Sequence, residues 1–416
     1  MSNLNNHKVD HLFLLVGENP LPNYVAARTL LREDGIVYLV FTNQTKNQKN
    51  CLLGVDGLAG YKIKRKEIDL ANYESNSYHI RERVQKQIKS LSPGSVGLNY
   101  TGGTKAMAVH AYKAVQELKP DAVFSYLDPR SLKMCIEQQS NKTLEFDVHL
   151  KLSFEEMFKL HNRNYWLESN PPDKEGILPD AAAKILEIYQ DETLAENWKL
   201  WRKTQLRRLT KNGDYWKTEE EIKNIKSIPL QELCQPIKDI LRQELDTSAT
   251  EIRLDITRRK GFKSFRQICE WLDGTWLESY VLKQVQNIKN EYDIKDCMMS
   301  FHIKDTNIGK GWRERFEFDV AFIKSYQLFA ISCTTSKDHK LCKQKLFEAH
   351  LRARQLGGDE ARVALVCLSE QPGWIRDEVR FAISDKKIKI FGSSDLTNLA
   401  DGIADWIESN NEEANA

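Results

Sequence analysis

Residues 99–107 read Asn-Tyr-Thr-Gly-Gly-Thr-Lys-Ala-Met, and this stretch decides the fold expected for the amino-terminal part of the chain. Apolar Val96 and Leu98 lead into it, and an apolar pattern with helical spacing follows from Met107 to Leu118, which predicts a loop between a strand and a helix. The glycine pair lets the backbone approach a ligand closely, and free N–H groups at a helix start favour phosphate. The alternative is a tight turn, which uses glycine pairs without any ligand. The sequence contains neither a P-loop nor a Gly-x-Gly-x-x-Gly fingerprint.

A second polar loop follows an apolar strand at residues 12–16. It reads Gly-Glu-Asn-Pro-Leu-Pro-Asn-Tyr over residues 17–24, and a helical pattern comes next. Strands alternate with helices up to about residue 136, which is typical of parallel βαβ units. The predicted strands are residues 12–16, 36–41, 95–99 and 122–127. In such folds loops of this kind meet at the carboxyl edge of the sheet, where ligands bind.

The two loops together resemble the CARF domain, the ligand-sensing module of type III CRISPR ancillary proteins. The matching motifs are Gly-x-Asn-Pro-Leu-Pro-Asn in the first loop and Asn-Tyr-Thr-Gly-Gly-Thr-Lys-x-Met in the second, and the resemblance covers residues 1–150. It implies a Rossmann-like domain that forms a homodimer and binds cyclic oligoadenylate, with cyclic tetra-adenylate as the expected ring size. The residues it implies as ligand contacts are Asn19, Pro20, Asn23, Thr42, Thr101, Gly102, Gly103, Thr104, Lys105 and Met107.

Composition limits the classes of protein to consider. The 61 Lys and Arg residues nearly balance the 59 Asp and Glu residues, so any binding of nucleic acid has to depend on local basic patches. No apolar run approaches the roughly 20 residues of a membrane span. The cysteines form no C-x-x-C pair, so no zinc site or disulfide framework is indicated. We expect a cytoplasmic protein of two or three domains without a membrane segment.

Residues 151–265 are expected to form a helical connecting segment with two basic clusters. The first contains Lys199, Arg202, Lys203, Arg207, Arg208 and Lys211 beside Trp198 and Trp201, and the second contains Arg258, Arg259, Lys260, Lys263 and Arg266 around Phe262 and Phe265. Basic groups with interleaved aromatics suit single-stranded nucleic acid, through phosphate neutralisation and base stacking. The alternative is a solvated helix face with its tryptophans buried.

The order of strands and helices expected over residues 266–416 predicts a second α/β domain. Strands are expected at residues 316–323, 328–332 and 362–367, with a helix at residues 343–355 that stops at Gly357-Gly358. An apolar helix carrying Trp271 and Trp276 precedes the strands. The order helix, hairpin, helix, strand is that of the PD-(D/E)xK nuclease core.

Three carboxylates in this part could hold a divalent metal, Mg²⁺ or Mn²⁺, for phosphodiester hydrolysis. Glu317 and Asp319 lie on one face of a predicted strand, and Glu278 lies on the preceding helix. A carboxylate in an apolar strand is costly to bury without a partner, which favours a metal ligand at Asp319. The alternatives are a strand-end Asp that faces solvent and an ordinary exposed helix Glu.

Here the chain also resembles CARF proteins that carry a C-terminal restriction-endonuclease-like domain. Residues 274–281 match Gly-x-Trp-Leu-Glu-x-Tyr-Val and residues 317–320 match Glu-x-Asp-Val. The next strand in that family usually reads Glu-Cys-Lys-Thr, whereas this chain has Ser332-Cys333-Thr334-Thr335. The usual metal-binding Glu and catalytic Lys are therefore both missing, which puts full activity in doubt.

Lys345 and Glu348 on the following helix could compensate, because residues three apart share a helix face. Ser332 and Thr334 alternate to one strand face and could hold a water or a phosphate oxygen. This relocated site predicts an endonuclease activated by cyclic oligoadenylate that cleaves DNA, RNA or both, with Lys345, Asp319 and Glu278 as catalytic residues. The competing interpretation is an inactive nuclease fold that serves as a ligand-sensing regulator and contacts DNA. Cleavage of the activator by the CARF domain itself is a third alternative.

Overall fold

Two large β-sheets organise the chain. The computed structural model describes residues 3–54, 58, 63–138, 142–161, 163–166, 174–305, 315–382 and 388–412. The amino-terminal sheet has seven strands and the carboxyl-terminal sheet has six.

The amino-terminal sheet is formed by alternating strands and helices. Its strands are β1 (Val9–Leu15), β2 (Leu31–Phe41), β3 (Lys64–Asp69), β4 (Val96–Asn99), β5 (Val123–Leu127), β6 (Lys133–Glu137) and β7 (Thr143–Asp147). Their spatial order is β3-β2-β1-β4-β5-β6-β7, and all neighbouring pairs from β3 to β5 are parallel. Strands β1 and β4, which precede the two polar loops, are therefore neighbours, as the sequence predicts. The sequence analysis missed β3 because its residues, Lys-Arg-Lys-Glu-Ile-Asp, are almost all charged and exposed at the sheet edge.

Five helices accompany this sheet: α1 (Leu21–Leu30), α2 (Lys46–Leu53), α3 (Ser77–Lys89), α4 (Lys105–Leu118) and α5 (Phe154–Leu160). Helix α4 begins directly after the glycine pair, and the Thr104 hydroxyl accepts a hydrogen bond from the Met107 N–H at its start. Helix α5 begins with a reciprocal capping box between Ser153 and Glu156.

The segment that follows is mostly helical. It contains β8 (Arg163–Trp166), α6 (Pro179–Ile188), α7 (Glu192–Trp201), a π-helical stretch (Arg202–Arg207), α8 (Arg208–Thr210), β9 (Lys211–Asn212), β10 (Tyr215–Trp216), α9 (Glu219–Ile225), β11 (Ser227–Pro229), α10 (Gln235–Leu245), β12 (Glu251–Arg253) and α11 (Leu254–Thr257). Strands β9 and β10 form one small antiparallel sheet, and β11 and β12 form another. The sequence analysis missed these strands because two or three residues carry too little periodicity. The division of the chain at residues 150 and 265 stays a prediction.

The carboxyl-terminal part contains α12 (Phe265–Glu270), a π-helical turn (Trp271–Thr275), α13 (Trp276–Asn287), β13 (Ile294–Asp305), β14 (Arg315–Lys324), β15 (Gln327–Thr334), α14 (His339–Gly357), β16 (Arg362–Cys367), α15 (Pro372–Ala382), β17 (Ile388–Phe391) and α16 (Leu399–Glu412). The sheet order is β17-β16-β15-β14-β13-β8, antiparallel from β15 to β8 and parallel from β15 to β17. Together with the amino-terminal sheet, this arrangement confirms the predicted fold class. Helix α14 begins at His339, four residues before its predicted start, with Asp338 as its amino-terminal cap.

The two parts share an apolar core. One cluster of buried side chains contains residues of α1 and α5 together with residues of β13 to β16 and α14. At its centre Phe154 and Phe158 of α5 pack against Phe301 of β13, with ring centroids 5.6 and 6.3 Å apart. Because this core crosses from one sheet to the other, it fixes the two polar amino-terminal loops relative to the carboxyl-terminal domain.

A second core cluster covers the other face of the carboxyl-terminal sheet and includes Trp198 and Trp201. Both indoles are fully buried, and Trp201 Nε1 donates to the Pro229 carbonyl at 2.7 Å. Phe262 and Phe265 are buried as well. The hypothesis that these four rings stack on bases is therefore wrong, because the apolar core holds them. Among the helices that the structure describes, none is long and apolar enough to cross a membrane.

Candidate functional site

A cavity of about 850 Å³ lies against β13, β14, β15 and the start of α13. Asp319 is positioned there by strand register. The pairs Met299–Val320 and Phe301–Phe318 place Ser300 beside it on β13, and the pair Val320–Ile331 places Ser332 beside it on β15. Asp319 therefore occupies the middle of a three-strand ladder at the cavity wall.

Three groups contact the same Asp319 oxygen, Oδ2. The Ser332 hydroxyl donates to it at 2.9 Å and the Cys333 backbone N–H at 2.6 Å. The Lys345 ammonium lies 3.4 Å away. These contacts fix the orientation of the Asp319 carboxyl group.

Glu278 reaches the same cavity from α13 and is only 8% exposed. Its Oε2 accepts a hydrogen bond from the Ser300 hydroxyl. Burial raises the pKa of Glu278, and the negative charges of Asp319 and Glu317 raise it further. Glu317 itself is exposed and lies on the cavity rim. A cation placed between these carboxylates would relieve their repulsion.

The donor set matches the oxygen ligands that Mg²⁺ and Mn²⁺ prefer. The number of candidate ligands is small, however. Among the residues whose placement is described, no cluster of three or more His, Cys, Asp or Glu side chains could hold a metal ion. Glu278 and Asp319 are the two carboxylates that would hold a cation in this cavity, with Glu317 at its rim. Ser332 stands where the proteins that the chain resembles usually have a metal-binding Glu, and it donates a hydrogen bond to Asp319.

Lys345 extends from α14 into the space beside Asp319, and its side chain is 39% exposed. Burial opposes its charge, but the carboxylates of Asp319 and Glu278 outweigh burial and raise the pKa of Lys345. The ammonium form therefore persists at neutral pH. The structure thus brings together the three residues that the sequence predicts as catalytic.

The auxiliary residues are divided between two spaces. Thr334 lines the main cavity, and its hydroxyl accepts a hydrogen bond from the Ser336 N–H. Ser332 and the exposed Glu348 line an adjoining cavity of about 360 Å³. Asp319 and Lys345 line both spaces, and a water or phosphate oxygen held by Ser332 and Thr334 stays a prediction.

Asp273 in the π-helical turn lies at the cavity wall and contacts three residues of the first basic cluster. Its carboxylate lies 2.6 Å from Arg207 Nε and 2.9 Å from Lys211 Nζ, and its backbone oxygen accepts from Arg202. The sequence analysis missed Asp273 and Ser300. A single serine in the apolar run 297–301 was the available signal for Ser300.

A second cavity, of about 700 Å³, lies at the carboxyl edge of the amino-terminal sheet. Seven of the predicted ligand contacts line it: Asn19, Thr42, Thr101, Gly102, Gly103, Thr104 and Met107. Pro20, Asn23 and Lys105 do not. Asn23 is fully buried, with its Nδ2 donating to the Leu15 carbonyl at 2.8 Å, and Lys105 is exposed on α4.

The two glycines in the second loop are required by packing as much as by any ligand. A Cβ at Gly102 would collide with the Leu15 carbonyl oxygen at the end of β1. Gly103 has φ +75°, a conformation that disfavours side chains. Close contact between the two loops therefore accounts for the glycine at position 102, and the positive φ accounts for the glycine at position 103.

The carboxyl-terminal domain completes this second cavity. Arg354, Gln355 and residues 358–360, at the end of α14 and just beyond, line it together with the amino-terminal loops. Asn19 Nδ2 donates to Glu360 Oε2 at 3.1 Å, and Asn19 Oδ1 lies 3.1 Å from His161 Nε2. The Gly357-Gly358 pair indicates only a helix end in the sequence, and nothing in the local pattern indicates this contact with Asn19.

Comparison with known proteins agrees with this geometry. The family model for the Card1 CARF domain matches residues 12–157, and that for the Card1-like endonuclease domain matches residues 266–410. No curated protein sequence matches the chain.

Several solved structures share the fold. Protein VC1899 from Vibrio cholerae has a TM-score of 0.72 at 16% identity, over 96% of this chain and 98% of that one. Can2 from Sulfobacillus thermosulfidooxidans, in complex with cyclic tetra-adenylate, has a TM-score of 0.64 at 16% identity, over 96% and 99%. A type III CRISPR defence DNA nuclease activated by cyclic oligoadenylate has a TM-score of 0.51 at 17% identity, over 86% of this chain and 45% of that one.

The two family models together cover well over half of the chain, and they confirm the resemblance read from its motifs. The chain therefore combines a Card1-type CARF domain at residues 12–157 with a Card1-like endonuclease domain at residues 266–410.

Proposed function

We propose that this protein is a metal-dependent endonuclease of type III CRISPR defence, switched on by cyclic tetra-adenylate in the cytoplasm. The family assignment gives a sensing domain and an endonuclease domain in one chain. Two structures of the same fold support the activator. Can2 was solved in complex with cyclic tetra-adenylate, and the type III CRISPR defence DNA nuclease is described as activated by cyclic oligoadenylate.

The carrying observation is that one helix borders both cavities. Lys345, near the start of α14, contacts Asp319 in the endonuclease domain, whereas Gln355, near its end, lines the cavity of the sensing domain. Ten residues of helix separate them, about 15 Å at 1.5 Å per residue. An activator that changes the packing at Gln355 and Gly358 would shift the lysine relative to the carboxylates.

In the endonuclease cavity, Glu278 and Asp319 would hold the divalent ion. That ion supplies Lewis acidity toward the scissile phosphate and neutralises its charge. The Lys345 ammonium would hold a non-bridging phosphate oxygen and stabilise the negative charge that grows there in the transition state. Ser332 and the Cys333 N–H orient Asp319 for this role.

In the sensing domain, Asn19, Thr42, Thr101 and Thr104 surround the proposed activator, and Lys105 extends from the adjacent helix start. The cyclic ligand is symmetric, so a homodimer would bind it with two copies of this cavity. Exposed Tyr78 and Val109, on the α3 and α4 face of the sensing domain, offer apolar surface for that dimer.

One experiment tests the proposal. The protein would be incubated with plasmid, single-stranded DNA and RNA, with and without cyclic tetra-adenylate and Mn²⁺. Cleavage that requires both additions supports the proposal. Binding of the activator without cleavage of any substrate would establish the alternative, a sensor with an inactive nuclease fold, which the missing strand Glu and Lys favour.

A further inference from the structure

A small hairpin forms part of the wall of the endonuclease cavity. Strands β9 and β10 pair Lys211 with Trp216 and Asn212 with Tyr215, and Gly213 at the turn has φ +61° with open space around it. Lys211 and Trp216 line the cavity. The endonuclease family match begins only at residue 266, so this hairpin lies outside it.

The two aromatic residues of the hairpin face opposite ways. Strand alternation directs Trp216 toward the cavity and Tyr215 away from it, where it is 81% exposed. Trp216 packs partly against the core cluster, and the Lys211 ammonium lies 4.2 Å from the centroid of its ring. Lys211 is in turn held at 2.9 Å by Asp273. The indole is therefore fixed before any ligand arrives, so stacking on it loses little side-chain entropy.

Most of the basic residues at this cavity lie on one side of it. Lys211, Lys263 and Arg266 lie with the hairpin and α12, where Asp273 pairs with Lys211 and Glu270 pairs with Arg266, so this side carries three cations and two acids. The carboxylates of Glu278 and Asp319 lie on α13 and β14. A phosphodiester chain that places one phosphate near the carboxylates and their cation would pass along the basic side. There its bases would meet the indole.

We propose that Trp216 stacks against an unpaired base next to the scissile phosphate, while Lys263 and Arg266 contact the flanking phosphates. Trp216 is thus a substrate-positioning residue on an element outside the endonuclease core. The inference rests on the proposed nuclease function for the identity of the polymer. It requires an unpaired base, because a base stacked within a duplex presents no free face.

The test measures binding without cleavage. A fluorescein-labelled oligothymidylate would be titrated with the full-length protein in EDTA, and its fluorescence anisotropy followed. Trp216→Ala should weaken binding about 5- to 150-fold, the range for losing one base–aromatic stack. Trp216→Phe should retain most of the affinity, and Tyr215→Ala, the matched control on the opposite hairpin face, should bind like the parent.

An abasic oligomer of the same length separates stacking from a purely structural role. With no base to stack, parent and Trp216→Ala should bind it equally. Three results would overturn the inference. Trp216→Ala could lose the same affinity for both oligomers, or it could bind thymidylate as tightly as the parent. The third result is a parent protein that binds neither oligomer. Because no arm depends on activator or cleavage, failure of the proposed function would show separately, as a parent that binds the oligomer but cuts nothing.

Lys263→Ala and Arg266→Ala test the phosphate contacts. Each should weaken binding of the thymidylate and abasic oligomers alike and reduce the salt slope of log K by about 0.7, the value for one single-strand phosphate contact. Unchanged slopes in both variants would remove the phosphate part of the inference.

Discussion

Substituting Gly358 with alanine should destabilise the contact between the sensing and endonuclease domains. Gly358 has φ +64° and ψ −152°, a region that is essentially glycine-only, so an alanine there costs about 1–3 kcal/mol in backbone strain. A Cβ at this position would lie 2.6 Å from Asn19 Cγ and 2.8 Å from Glu360 Oε2. The Asn19 side chain would have to move.

Asn19 accepts a hydrogen bond from the Leu21 N–H in its own loop and makes two contacts with other segments, and moving its side chain disturbs the latter two. The hydrogen bond to the Glu360 carboxylate is of the charge-assisted kind, worth about 1.5–3 kcal/mol, and the contact with His161 is worth about 1 kcal/mol. Backbone strain and the weakened Asn19 contacts add together in Gly358→Ala. Because only part of each contact energy is lost, the variant should lower the free energy of unfolding by about 3–6 kcal/mol in all. In an Asn19→Ala background, only the strain of about 1–3 kcal/mol should remain.

Urea denaturation of the four proteins in this double-mutant cycle measures the difference, with activator affinity followed by calorimetry because Asn19 lines the sensing cavity. Gly213→Ala provides the control, since Gly213 also has positive φ but its Cβ would meet nothing within 4 Å. An equal cost of Gly358→Ala in the parent and in the Asn19→Ala background would refute the steric argument.

Four further predictions concern the two cavities. Asp319→Ala should abolish Mn²⁺-dependent cleavage while calorimetry shows unchanged activator affinity, because the two cavities are separate; retained cleavage would place the metal centre elsewhere. Lys345→Ala should lower the activator-dependent cleavage rate at least about 100-fold. The control is Lys343→Ala on the same helix, which should change the rate little because Lys343 pairs with Glu378. Equal rates for the two variants would contradict the role of Lys345. Gly102→Ala should abolish activator binding and lower the melting temperature, since its Cβ meets the Leu15 carbonyl; a native melting temperature would show that the loops can separate. Lys105→Ala should weaken activator binding in calorimetry at an unchanged melting temperature, because Lys105 is exposed, and unaltered affinity would remove it from the site.

The sequence predicts most of the fold because its signals are periodic and long. The strands around Leu12, Asp319 and Val363 all form within a few residues of their predicted bounds. The charged edge strand β3 and the two-residue strands β9 and β10 lack such periodicity, and the structure alone reveals them.

The candidate site is predicted in part for the same reason. Glu278, Asp319 and Lys345 come from three separate elements. Motif and helix spacing predict them and the structure places all three around one cavity, while their catalytic roles stay a prediction. The aromatics of the basic clusters are different, because Trp198 and Trp201 have the same local pattern whether a core or a base covers them. Contacts between distant segments, such as Asn19 with Glu360, depend on how the domains dock, and no local pattern encodes that docking.

The contact between Asn19 and Gly358 also limits how such proteins can be recombined. A chimaera that joins this sensing domain to the endonuclease domain of a relative would bring Asn19 against whatever residue follows the long helix there. Any side chain at that position would meet the asparagine, and any loss of the Glu360 carboxylate would leave its amide without an acceptor. Sensor exchange between relatives should therefore succeed when residues 358–360 are transferred along with the first sensing loop, so that the unit of exchange crosses the domain boundary.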